Sequence, residues 1–318
     1  MTNSARPARW KIVLAFAIIY VVWGSTFLAI RVGVHEVPPF ILAGLRFLVA
    51  GASMYAWLRA TGTPTPTRRQ WTGAALLGGM IFVLDYGCLF WAERRVPSGI
   101  AAVVLATIPV FITLMEILLL RTLRLSVGLA LSLLLGIGGV AILMSNSLSL
   151  GQAPIDHLGA AALLFASLNW SVATVITKKT PLPESKPMSS AAQMLCGGTL
   201  LFVVSGVSGE FSSFHPLAVS GAAWFSLLYL IVAGSIIGYT AYVWLLHYES
   251  PTKVGTYAYV NPVIAVIIGY FFGGEALGAR TVLGTLLVLV SVVAIALIPK
   301  PKAPVRVETS AQEEATAV

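Results

Sequence analysis

The chain has 318 residues, of which 58% are hydrophobic and only 10% charged, and its mean hydropathy is +0.89. Soluble domains carry roughly a quarter charged residues, so lipid rather than water is the main solvent here. The formal charge of +8 does not mark a nucleic-acid binder, because the basic residues lie in short connections rather than along one stripe.

A helix needs about 20 apolar residues to cross the hydrocarbon core, and ten such stretches follow one another. The first, 12–34, puts Tyr20, Trp23, Gly24 and Phe27 on one helix face. Arg6, Arg9 and Lys11 precede it as they would a signal peptide. Its apolar run is longer than the usual stretch of about 7–15 residues, however, and no clean cleavage site follows, so it reads as a spanning helix. The second span, 39–59, carries Arg46, and the third, 71–92, carries Asp85. The fourth, 97–120, has Pro109 near its middle and Glu116 near its end, and the fifth, 126–144, is rich in glycine (Gly136, Gly138, Gly139). In the sixth, 157–178, Ser167, Trp170, Ser171 and Thr174 repeat the spacing seen on the first. The seventh and eighth, 188–209 and 222–246, are almost free of charge. The ninth, 252–273, joins Tyr257 and Asn261 on one face beside Pro262, and the tenth is 280–298. Residues 1–11 form a short leading segment, and the polar segment 299–318 is expected to be disordered.

Lysine and arginine orient the bundle. With the N-terminus in the cytoplasm, inside segments hold 15 of these residues and outside loops hold 4 (Arg31, Arg94, Arg95, Arg280), with Arg46 inside a span. Both termini are therefore expected in the cytoplasm, with the chain in a bacterial inner membrane.

The two halves can be laid on each other. At an offset of 147, Trp23 meets Trp170, Arg46 meets Gln193 and Gly51 meets Gly198; at 153, Trp71 meets Trp224, Tyr86 meets Tyr239, Trp91 meets Trp244 and Pro109 meets Pro262. A six-residue insertion between the seventh and eighth spans reconciles the registers. Each half, 12–144 and 157–298, has five spans, an odd number, so the second must run opposite to the first. The expected fold class is an all-α membrane protein of two inverted five-helix repeats, the architecture of many secondary transporters with a site near the midplane.

Trp23-Gly24-Ser25, Leu45-Arg46-Phe47, Asn261-Pro262-Val263 and Gly273-Gly274-Glu275, in this order across ten helices, resemble the EamA type of the drug/metabolite transporter superfamily. Members often carry a Gly-Glu pair after the fourth span too, where this chain has Arg121 and Thr122. The resemblance implies an ATP-independent carrier of small organic metabolites, often an exporter, and does not identify the substrate.

An unpaired charge at a helix centre costs about 2.5–3.5 kcal/mol on insertion scales, so Arg46 and Asp85 each need a reason. At about 1.5 Å per residue both lie roughly 10 Å below the outer edge. They are read either as a structural ion pair or as a proton- or ion-coupling site, with an outward-snorkelling Arg46 as the remaining alternative. The matching positions of the second half, Gln193 and Gly238, are uncharged. Trp23 and Trp170 sit mid-span, away from the interfacial belt. With Tyr20, Tyr257 and Asn261 they are the candidate substrate contacts, in a cavity suited to an amino acid, a related metabolite or an amphipathic drug. Pro109 and Pro262 each remove a helix hydrogen bond and are candidate hinges. Glu116 is expected in a boundary salt bridge with Arg121. The glycines of the fifth span serve packing within the bundle or pairing of two copies, and both readings stay open. Cys88 and Cys196 lie in different spans, and no metal, cofactor or catalytic pattern occurs. The other functional classes, a channel or sensor and a membrane-embedded enzyme, lack positive support, the enzyme because Arg46 and Asp85 alone make no catalytic set.

Overall fold

A computed structural model describes residues 7–95, 104–143, 156–273 and 279–298. Within them the ten spans are helices α1 (Arg9–Glu36), α2 (Pro39–Ala60), α3 (Arg68–Ala92), α4 (Ile108–Leu120), α5 (Val127–Leu143), α6 (His157–Ile176), α7 (Lys186–Val207), α8 (Gly221–Tyr248), α9 (Tyr257–Gly273) and α10 (Ala279–Leu297). Their lipid side is greasy: Val13, Leu14, Val21 and Leu28 of α1 and Leu228 and Val232 of α8 are exposed. Backbone polar groups are satisfied inside each helix, as a bilayer requires.

Short polar residues start the helices where the connections leave water. Thr67 and Gln70 form a reciprocal capping box at α3, and Asp156, Ser185 and Ser220 cap α6, α7 and α8. Arg121, in the left-handed region at φ 55°, ends α4. The expected salt bridge between Glu116 and Arg121 is not formed. Instead the Glu116 carboxylate accepts from the backbone N–H (2.9 Å) and hydroxyl (2.7 Å) of Thr252, at the start of a short helix, Pro251–Gly255, that leads into α9. A carboxylate at a helix N-terminus satisfies open N–H groups and the helix dipole together.

The two halves meet most closely along α2 and α7. A Cβ on Gly198 would stand 2.5 Å from the backbone nitrogen of Leu48, and one on Gly51 would stand 2.7 Å from that of Leu195. Glycine here lets two backbones touch. The six-residue insertion found in the repeat comparison falls in the connection 208–220, which carries a short helix, Glu210–Ser213. Glu210 accepts from the N–H groups of Phe40 (3.3 Å) and Ile41 (3.0 Å), capping α2 from the opposite half. Gly136 and Gly139 of α5 are occupied inside the chain, against Tyr259 of α9 and Val288 of α10, whereas Gly138 has open space beside it.

Two features depart from regular spanning helices. Residues Gly79–Gly87 of α3 and Leu230–Tyr239 of α8 are π-helical, at matching positions of the two halves. Such segments widen the backbone ring and often mark functional sites. Pro109 is not inside a continuous helix: α4 starts at Ile108 after a turn at 106–107, so Pro109 occupies the first turn and breaks no bond there. Pro262 does sit inside α9. Gly274, Glu275 and the segment 299–318 lie outside the described residues.

Candidate functional site

A small cavity of about 50 Å³ opens where α1, α3, α4, α6 and α9 converge. Trp23, Thr26, Asp85, Tyr86, Trp170, Tyr257 and Asn261 form its deep part, and its wall continues along Ile30 and Leu89 towards the end of the bundle that carries Glu36 and Glu93. The aromatic face read from the first span is there because α1 is pinned by it. The Trp23 indole N–H donates to the Gly234 carbonyl at 3.0 Å, so the π-helical stretch of α8 receives the ring of the other half. On the mirrored side Asn169 of α6 donates to the Met80 carbonyl in the π-helical stretch of α3, at 2.6 Å.

The repeat pair Trp23 and Trp170 meet edge to face at 5.8 Å. Tyr257 closes on Trp23 at 4.8 Å, Tyr242 stands 5.2 Å from both indoles, and Tyr86 lies 5.9 Å from Trp170. Ring centroids at these spacings make favourable aromatic contacts and leave π faces that attract cations. Polar groups in this wall are left open. The Trp170 indole N–H and the Asn261 side-chain oxygen are buried without hydrogen-bond partners. Asp85 is 5% exposed, and its carboxylate makes no hydrogen bond or ion pair among the described residues. Buried polar atoms are almost always paired in folded proteins, so two open ones beside the Asp85 carboxylate set this cavity apart from the rest of the bundle.

Not every candidate reaches this wall. Tyr20, one turn from Trp23, is held by Thr256 at 2.7 Å and lies off the cavity, on the side away from Ile30. Arg46 and Asp85 are not paired. The Arg46 Nε donates to the Ser235 hydroxyl at 2.9 Å, its guanidinium lies over the rings of Phe47 and Tyr86 at 4.7 and 5.1 Å, and its Nη1 is buried without a partner. The reason is helical geometry. Tyr86 takes the arginine, and its neighbour Asp85 projects from a different side of the helix. Pro109 and Pro262 follow the lining residues Ile108 and Asn261, bordering the cavity.

Two contributors, Tyr242 and Glu93, carry no signal in the sequence pattern. Tyr242 completes the aromatic wall, yet its repeat counterpart is Leu89, so no internal match drew attention to it. Gly238, at the position equivalent to Asp85, is small because the Trp23 indole fills that space: a Cβ there would be 2.6 Å from its nitrogen. The asymmetry between the halves thus follows from which side holds the indole. Glu93, two turns beyond Asp85 at the mouth, has a buried carboxylate oxygen without a partner; burial raises its carboxyl to about 7, with Arg31 opposing. An acid with a raised pKa costs stability as pH climbs through that range, because the unfolded chain releases its proton earlier. Glu93→Gln should therefore raise the melting temperature at pH 8 and leave it unchanged at pH 4, which thermal scans across pH would read directly.

The model of the EamA-like transporter family matches residues 10–145 and 157–297, nearly the whole chain in two copies. The chain belongs to the EamA-like transporter family. The inner membrane transporter YedA of Escherichia coli (strain K12) is 36% identical to it over 282 residues, 88% of each chain. The transporter YoaV of Bacillus subtilis (strain 168) is 24% identical, covering 87% of this chain and 94% of its own. Protein PecM of Dickeya dadantii is 26% identical over 276 residues. A solved crystal structure shares the fold at a TM-score of 0.72 and 21% identity, covering 91% of this chain and 99% of that one. This EamA-like protein is accordingly a multi-pass membrane transporter built of duplicated halves, with a small-molecule substrate.

Proposed function

We propose that this EamA-like protein is a secondary carrier that exports small organic metabolites, such as amino acids or amphipathic drugs, from a bacterial cell. The halves 12–144 and 157–298 would alternate around the central cavity, with both termini in the cytoplasm. The observation that carries this reading is the ring of aromatic side chains around two buried polar atoms with no partner, the Trp170 indole N–H and the Asn261 side-chain oxygen, beside the Asp85 carboxylate. Trp23, Trp170 and Tyr257 offer π faces, Asn261 and the Trp170 N–H offer hydrogen bonds, and Asp85 offers a negative charge for an ammonium group or a proton. Arg46 sits behind Tyr86 and holds that ring against the cavity wall.

The cavity volume supports alternation. A space of about 50 Å³ holds little more than water, whereas ligand sites span roughly 300–1,000 Å³. Substrate binding must therefore separate the aromatic wall, with Pro109 and Pro262 as the hinges. Towards the lysine-rich end the route is closed by Tyr20 with Thr256, Thr174 with Tyr242, and Glu116 with Thr252. The path along Ile30 and Leu89 leads the other way, to the outside in the proposed orientation. The chain has no ATP-binding motif, so a solute gradient or the membrane potential, about 2.3 kcal/mol per charge per 100 mV, drives the cycle.

Counterflow of labelled amino acids and amines in liposomes tests the reading. Trp23→Ala and Tyr257→Ala should each lower saturable exchange at least tenfold while the protein still elutes as a folded species. Unchanged exchange in both variants would remove the cavity assignment, and flux without saturation would favour a channel.

A further inference from the structure

A second pocket, distinct from the central cavity, lies at the opposite end of the bundle. It holds about 280 Å³ between the C-terminal end of α6 (Thr177, Lys178, Thr180), the first turn of α7 (Lys186, Ser189) and the last turns of α8 (Val243, Leu246, His247). Val243 and Leu246 are buried and make an apolar floor, while Lys178 and His247 stand exposed at the rim. The connection 181–185 packs against the start of α3, where Gln70 donates to the Leu182 carbonyl. The pocket therefore opens at the end that carries Arg68, Arg69 and most of the basic residues.

Its lining carries two lysines and a histidine and no carboxylate. Lys186 is the first residue of α7, a 22-residue helix, so its ammonium sits at the positive end of a helix dipole. It makes no hydrogen bond or ion pair among the described residues. The His247 imidazole has only a ring contact with Tyr248. Lys178 reaches the same space while donating to the Glu249 carbonyl at 2.9 Å. Two acids stand near: Glu184, exposed beside Lys186, and Glu249 beside Lys178, and neither lines the pocket. At the floor, the Ser189 hydroxyl is buried and accepts from the Gln193 amide at 3.0 Å, and its own hydrogen has no recorded acceptor among the described residues. An ammonium at a helix start, a second ammonium, an imidazole and a hydroxyl donor thus converge on one space.

We propose that this pocket binds a phosphate group, through Lys186, Lys178, His247 and Ser189. The phosphate belongs either to an anionic lipid of the adjacent leaflet or to a free phosphate ion. Basic pockets between transmembrane helices on the cytoplasmic side are suited to lipid headgroups, and a phosphate accepts several charge-assisted hydrogen bonds at once. The chemistry is independent of what the central cavity carries. Only the identity of the leaflet depends on the proposed orientation.

The test uses the full chain purified in detergent and stripped of loosely held lipid. Thermal unfolding is followed with phosphatidylglycerol or phosphatidylcholine of the same acyl chains, and with inorganic phosphate or chloride at equal ionic strength. A ligand that binds only the folded state raises the midpoint in proportion to its occupancy. Phosphatidylglycerol, phosphate or both should stabilise, while phosphatidylcholine and chloride should not. A response to phosphatidylglycerol alone assigns the lipid source, and a response to the free ion shows that a soluble phosphate suffices. Lys186→Gln should weaken the response about fivefold in concentration, Lys186→Arg should restore it, and Arg59→Gln, at the same end but outside the pocket, should leave it intact. His247→Gln, an exposed position, gives the same reading if Lys186→Gln fails to fold. The proposal is overturned if neither phosphate source stabilises, or if the response survives in both the Lys186 and His247 variants.

Discussion

Asp85→Asn should weaken exchange of any ammonium-bearing substrate by about 30-fold or more, and raise thermal stability at the same time. Removing one partner of a buried charge pair typically costs about 2–5 kcal/mol of binding, and 2 kcal/mol is already roughly 30-fold. Asparagine keeps the shape of aspartate, and the carboxylate has no partner to lose among the described residues. A buried carboxylate without a counter-ion burdens the folded state, so its neutral isostere should unfold at a higher temperature. The opposing signs separate the two roles the sequence left open. A carboxylate that braces neighbouring helices would lose stability when neutralised, and substrate exchange would fall only in proportion to the folded fraction. The measurement is the pair of melting temperature and exchange constant on one preparation. Lower stability with unchanged exchange would make Asp85 structural.

The second large effect concerns the seam between α2 and α7. Gly198→Leu should prevent recovery of a monodisperse protein, and Gly198→Ala should already cost about 1–3 kcal/mol. The atoms a Cβ would strike are backbone, the nitrogen of Leu48 at 2.5 Å and the carbonyl carbon of Phe47 at 3.0 Å, so no side chain can swing aside. Two helices would have to part along their length. Gly138→Leu is the control, since nothing lies within 4 Å of that position and its surroundings are open. Size-exclusion profiles of the two leucine variants at equal expression decide the matter. If Gly198→Leu elutes and melts like the parent, the close approach of α2 and α7 is wrong.

Much of this architecture was legible beforehand, because bilayer thickness and tryptophan and proline registers leave coarse marks in a sequence. The pairing of Trp23 with Trp170 came from an offset of 147, and the two indoles do meet. What stayed hidden depends on side-chain direction. Arg46 and Asp85 lie at similar depths, and depth was all the sequence offered. Whether they face each other depends on rotation about two helix axes, which a π-helical segment shifts further. Those segments in α3 and α8 escaped notice because a widened turn has no compositional signature in an apolar run. Pro109 departs from expectation for a related reason: proline permits both a kinked helix and a fresh helix start, and only the turn before it decides. Glu116 read as a salt-bridge residue by proximity to Arg121 along the chain, while its partner, Thr252, is 136 residues away.

Three glutamates share an arrangement with a kinetic meaning. Glu36 accepts from the N–H and hydroxyl of Ser220 at the start of α8, Glu210 caps α2, and Glu116 holds the short helix before α9; each reaches into the opposite half. Glu36 and Glu210 serve one end of the molecule, and Glu116 serves the other. A cap of this kind is worth roughly 0.5–2 kcal/mol, which is about a factor of two to thirty in an equilibrium. Latches of that size hold a conformation without trapping it. All three are formed together in this conformation, and in the proposed carrier cycle each would have to open for the halves to part at its end. In that cycle a solute preferring the parted form by a comparable margin would release one latch.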